Sequence, residues 1–150
     1  MNNRSDLLNQ FKEWNEFVLE IIDLDWNTPI DEGKWTIHDV VSHIMLWDKY
    51  FYETTIEPIA RDKTITLELI DFDFFNKNAV TYGMTKTKDE LKESTVKYRN
   101  LILDCISSLD EVKYSQEFVD GRFSLESYLK DFISHDRHHM MQIEELKGKL

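Results

Sequence analysis

The chain has a single cysteine, Cys105, among its 150 residues. No disulfide can form within it, and the apolar neighbours at helical spacing around that thiol read as a buried side chain rather than a nucleophile. Basic residues are also scarce: 18 Lys and Arg stand against 29 Asp and Glu, for a formal charge of −11. A surplus of that sign repels phosphate backbones and anionic lipid, so neither nucleic acid nor a membrane surface is an expected partner. Long apolar runs are missing as well. The opening MNNRSDLLNQFKEW has no apolar core of signal-peptide length, and no run approaches the roughly eighteen residues a membrane span needs. The expectation is a soluble cytoplasmic protein, a single domain over residues 1–150, long enough to bury roughly two thirds of its unfolded surface without staples.

Helix breakers are few, 2 prolines and 4 glycines, and their positions divide the chain. Between Pro29, Gly33, Pro58, Gly83, Gly121 and Gly148 lie stretches free of both residue types. In the first, Leu7, Phe11, Trp14, Val18 and Ile21 recur at steps of three and four, one face of a helix, with Ser5 as its expected cap. The second opens on WTIHD, where Thr36 and Asp39 form a capping box, and Pro58 is expected to end it. DFDFFNKNAVTYG reads as a short helix capped by Asp71 or Asp73 and stopped by Gly83. TKDEL gives a second capping box, Thr87 with Glu90, ahead of a stripe through Leu91, Tyr98, Leu101, Ile102, Cys105 and Leu109. After a tight reversal at FVDGRF, Ser124 caps a last helix of over six turns. The fold class is therefore all-α, a four-helix bundle with an additional short helix between the second and third long ones.

Histidine is the residue type whose distribution asks for chemistry. Three of five fall within SHDRHHMMQ, at 135, 138 and 139. The expected inward stripe of the last helix runs Leu125, Tyr128, Phe132, His135, His139, Gln142 and Leu146; His135 and His139, four residues apart, differ by about 40° and converge on one point, while His138 diverges from His139 by about 100°. In the second helix Thr36, Val40, His43, Trp47 and Tyr50 share a face, and His38, roughly 140° from His43, is expected on the surface. A buried polar ring without a partner costs about 1–3 kcal/mol, and a divalent metal would satisfy all three inward imidazoles. HxxxH plus one distant histidine supplies three protein donors and leaves positions for water or substrate, the character of a catalytic rather than a structural site. The competing account makes His43 a core histidine bonded to a carbonyl and the last-helix cluster a solvated patch.

The segment GKWTIHDVVSHIMLWDKYF, followed some ninety residues on by YLKDFISHDRHHMMQIEEL, resembles the DinB/YfiT-like superfamily of four-helix-bundle metalloenzymes, and DFDFFNKNAV resembles the short helix those proteins carry. The resemblance puts the metal on His43, His135 and His139 and leaves His138 outside; three nitrogen donors do not by themselves choose among zinc, nickel, iron and copper, and zinc or nickel is the expected ion. It departs at Met140 and Met141, where many relatives have Arg-Gly. Ligating imidazoles are usually held by a second group, and three candidates have suitable spacing: Asp39 and Asp131, each four residues before a ligand, and Gln142, three after one. A solvated helix face is the alternative for the two aspartates. Trp47 and Tyr50 are candidates to line a pocket, with core filling as the alternative.

The superfamily includes metal-dependent hydrolases and enzymes that use a low-molecular-weight thiol cosubstrate. The sequence offers no evident acid or base near the ligands, and thiol transfer needs one less than hydrolysis does. The expectation is a thiol-dependent S-transferase acting on small electrophiles; a hydrolase using metal-bound water and a non-enzymatic metal-binding or interaction bundle stay open beside it. Related bundles pair through helix faces, so a homodimer is expected.

Overall fold

The structure, a computed structural model, describes residues 3–150. Four long helices form the bundle: α1 (Asn3–Glu20), α2 (Ile37–Phe51), α5 (Lys88–Ser108) and α7 (Leu125–Lys147). Three short helices join them, α3 (Glu57–Ala60), α4 (Phe72–Met84) and α6 (Glu111–Ser115). The capping chemistry explains most of the boundaries. Thr36 with Asp39 and Thr87 with Glu90 form reciprocal boxes at the starts of α2 and α5, Asp71 caps α4 through the Phe74 N–H, and Ser124 caps α7. The reversal before α7 is a two-stranded hairpin, β1 (Glu117–Phe118) against β2 (Phe123–Ser124), turned through positive φ at Asp120 and Gly121.

Local expectations fail at four places. Ser5 lies inside α1 rather than at its cap. Pro58 does not end the second helical stretch: α2 passes into a π-turn, Tyr52–Ile56, closed by the Glu57 N–H on the Tyr52 carbonyl, and α3 continues with Pro58 in its first turn, where no N–H is required. Gly83 does not stop α4, which runs on to Met84; it lets α4 approach α2, since a Cβ there would stand 2.1 Å from Ser42 Oγ. His38 is half-buried, not a surface residue. Its Nε2 bonds the Gly83 carbonyl at 2.7 Å and its ring meets Trp26 edge-on, which fastens the end of α4 to the start of α2.

Around the bundle, α1 packs on α5 and α7, and α2 packs on α5 and α4, whereas α2 and α7 meet only sparsely. That seam is the open side of the fold. The core has two apolar clusters, one around Trp14, Val18, Ile37, Ile44, Leu91 and Ile143, the other around Leu7, Phe11, Ile102, Ile106, Leu125 and Leu129. The core also holds buried polar residues that the sequence reading missed, among them Asp48, Thr95, Arg99 and Asp136. The true inward stripe of α7 is accordingly Leu125, Tyr128, Leu129, Ile133, Asp136, Ile143 and Leu146. Phe132, His135, His139 and Gln142 lie on its half-buried flank and face the seam. Among the described residues, no helix is long and apolar enough to cross a membrane.

Candidate metal centre

Three imidazoles line the seam between α2 and α7. His43 comes from the middle of α2 and is almost wholly buried, while His135 and His139 stand one turn apart on α7. One ring nitrogen from each lies within 4.8 Å of the other two. His43 Nε2 and His135 Nε2 are 3.1 Å apart. Two donors of one tetrahedral ion, bonded at about 2.0–2.1 Å, stand about 3.3 Å apart, so this pair already has the separation that a shared cation requires.

The protonation of His43 follows from its neighbours. Trp47 Nε1, which can only donate, meets an Asn76 side-chain atom at 3.2 Å, so that atom is the oxygen Oδ1. His43 Nδ1 shares the same oxygen at 2.8 Å and must therefore carry its proton, leaving Nε2 as a bare lone pair turned toward His135. At His139, Gln142 Oε1 accepts from Nδ1 at 2.9 Å and frees Nε2 in the same way. Among the described residues the far nitrogen of His135 has no such partner; Asp136 Oδ1 is 4.0 Å away.

Electrostatics keep the rings neutral. Burial, with His135 and His139 beside it, lowers His43 from 6.5 to about 3 against a small upward pull from Asn76. Burial and His135 lower His139 to about 4, and burial with His138 and Arg99 lowers His135. Neutral imidazole is the form that binds metal. The donor set, the fixed tautomers and the low proton affinity all fit a divalent ion.

A stability consequence follows. A ring whose folded pKa lies below its unfolded value leaves the unfolded chain holding more protons, so its contribution is complete above about pH 6.5 and is lost as pH falls toward 4. At about 1.4 kcal/mol per pH unit per ring below pH 6.5, His43 and His139 together are expected to cost the metal-free protein on the order of 4 kcal/mol between pH 7 and pH 5. Urea titration at the two values measures it, and His139→Gln should reduce the loss by about half. A slope unchanged in that variant would contradict the assigned burial.

The remaining sequence candidates fall as follows. Gln142 holds His139, as its spacing suggested. Asp39 is used in the α2 capping box, where its carboxylate accepts from the Thr36 N–H at 3.1 Å. Asp131 is exposed and lines the cleft that opens beside His43 and His135. Trp47 also lines that cleft, with one face stacked on Phe75 at 3.8 Å, whereas Tyr50 packs edge-on behind it and is not among the lining residues. His138 is exposed and lies along a separate groove with Leu7 and Met141. The cleft has a volume of about 370 Å³, and its other walls are Phe51, Phe72, Asn76 and Phe132.

Asn76 is the functional residue the sequence reading overlooked. It lies on α4, five residues past the Asp71 cap, and the only signal for it was a polar side chain amid DFDFFNKNAV.

A sequence profile of the DinB superfamily matches residues 7–143. No curated protein gives a significant match. Among solved structures the chain is similar to YfiT from Bacillus subtilis, described as "a probable metal-dependent hydrolase with an unusual four-helix bundle topology", with a TM-score of 0.79 and 15% identity over 99% of this chain and 89% of that one. At that identity the likeness carries the fold alone.

Proposed function

The chain belongs to the DinB superfamily, and on that footing we propose that it is a metal-dependent hydrolase of small molecules, with His43, His135 and His139 holding a divalent ion, zinc or nickel. The observation that carries this reading is the convergence of three neutral imidazoles beside a cleft that also contains a carboxylate, Asp131. That carboxylate removes the sequence-based reason for preferring thiol transfer, the want of an acid or base near the ligands. When bound, the ion supplies Lewis acidity that lets a water or thiol ionise near neutral pH.

The protein's own groups do the rest. Asn76 and Gln142 fix the tautomers of His43 and His139. Phe51, Phe72, Phe132 and Trp47 bind the apolar part of the substrate and shed its water. Asp131 takes a proton from the attacking nucleophile at a carboxylate oxygen and returns it to the leaving group.

The second reading, a thiol-dependent S-transferase for small electrophiles, draws on the aromatic walls of the cleft, which suit an apolar electrophile. One assay separates the readings. Metal-loaded protein is given ester and amide panels without thiol, then a halonitrobenzene with a panel of low-molecular-weight thiols. Thiol-independent hydrolysis that falls about 10²-fold in Asp131→Asn is the expected result. Turnover only with thiol would transfer the assignment to the S-transferase, and none in either arm would leave a non-catalytic metal-binding bundle. The reading takes residues 1–150 as one cytoplasmic domain that pairs as a homodimer, which light scattering in solution tests.

A further inference from the structure

Behind the imidazoles, one arginine ties both ligand-bearing helices together. Arg99, on α5 and fully buried, donates from Nε and Nη2 to the two carboxylate oxygens of Asp48 at 2.9 and 3.0 Å. Its Nη1 donates to Asp136 Oδ2 at 2.6 Å and to the Phe11 carbonyl at 2.9 Å, and the guanidinium stacks on the Phe11 ring at 3.8 Å. Asp48 is five residues along α2 from His43, and Asp136 is next to His135 and three residues before His139. Buried ion groups of this kind are often no more stabilising than apolar side chains of like volume, so cohesion alone does not account for the trio.

The three rings differ in one respect. His43 is held by Asn76 and His139 by Gln142, but His135 Nδ1 is a buried atom without a hydrogen-bond partner among the described residues. Asp136 Oδ1, the oxygen Arg99 leaves free, is also buried and unpartnered, and it faces that nitrogen at 4.0 Å. The bare His43 Nε2 accepts from His135 Nε2–H at 3.1 Å. Once Nε2 of His135 serves as a donor to a cation, however, the ring's one proton sits on Nδ1, and a small side-chain rotation would bring it to Asp136 Oδ1.

We propose that Arg99 and Asp136 are positioning residues of the metal centre: Arg99 sets the spacing between α2 and α7, and Asp136 Oδ1 receives the His135 Nδ1 proton, so that Nε2 of His135 is the donor. This rests on the metal-centre reading above. It completes a pattern in which each of the three imidazoles is held at its far nitrogen by a different side chain, a carboxamide from α4, a carboxamide from α7 and a carboxylate clamped by α5.

Two variants test it, each loaded with cobalt(II) and read by the visible ligand-field spectrum and by chelator competition. Asp136→Asn leaves Arg99 paired one-to-one with Asp48, so the fold is retained. The amide oxygen turns to Arg99, its NH₂ faces His135, and the imidazole proton is driven onto Nε2. A cobalt affinity 10–100-fold lower, with an altered spectrum, is expected. The triple replacement Asp48→Leu, Arg99→Met and Asp136→Leu should melt cooperatively at or above the wild-type temperature and still lose cobalt affinity. Wild-type affinity and spectrum in Asp136→Asn would overturn the inference, whether or not the triple variant folds. If the wild-type protein itself bound no cobalt, the metal-centre reading would fail and this inference with it, an outcome the wild-type arm distinguishes.

Discussion

Exchanging His43 for alanine is expected to lower divalent-metal affinity by two to four orders of magnitude and to bring any metal-dependent turnover to background. The size follows from the donor count. Sites built from protein donors bind zinc with about 10–16 kcal/mol, and removing one of three donors takes away roughly a third, about 3–5 kcal/mol. The effect is larger than at an exposed ligand because His43 is the most buried ring of the three and the one whose tautomer is fixed by a donor that cannot reverse, Trp47. Competition with a metal-sensitive dye measures the affinity. Far-UV circular dichroism separates it from unfolding, since a small side chain on α2 leaves the Thr36 cap and the core positions Val40, Ile44 and Met45 in place. Affinity within threefold of wild type would remove His43 from the site.

The largest stability effect is expected at Arg99. Arg99→Met fills much of the same volume but leaves the carboxyl groups of Asp48 and Asp136 buried without their cation. Breaking such a pair from one side costs about 3–5 kcal/mol, because an uncompensated charge must stay in the interior or take up a proton. For a chain of this length that is a fall in melting temperature of roughly 10–15 °C. Burial already pushes both carboxyls upward, against the pull of Arg99. Without the guanidinium they protonate on folding, so the loss should be greater at pH 8 than at pH 5. Calorimetry at both values measures it, and an equal loss at each would mean that packing rather than charge dominates.

The contrast between what was legible in the sequence and what was not has a physical basis. Caps were readable because a Thr-x-x-Glu or Thr-x-x-Asp box is local: Thr36, Thr87 and Ser124 hold helix ends where their spacing places them. His43, His135 and His139 were readable as one cluster because helical period alone turns them toward a common side. Arg99, Asp48 and Asp136 were not, since a lone charged residue at a core position looks like a solvated face until its counter-ions arrive from other helices, 51 and 37 residues away in the chain. The same limitation hid Asn76, which reaches His43 only because Gly83 and Ser42 let α4 lie close on α2. It also misplaced the inward stripe of α7 by one flank: with Asp136 in the core, His135 and His139 are turned toward the seam with α2, and His135 lines the cleft that opens there. Pro58 was misread for a different reason, a π-turn that absorbs the proline without a break.

X-ray absorption at the zinc edge of the metal-loaded protein addresses the shared cation most directly. The expected spectrum has three imidazole nitrogens at about 2.0–2.1 Å, marked by their ring multiple scattering, and at least one oxygen donor without such scattering at similar distance. A spectrum dominated by oxygen, with scattering from one imidazole or none, would mean that the three rings in the seam do not hold a common ion.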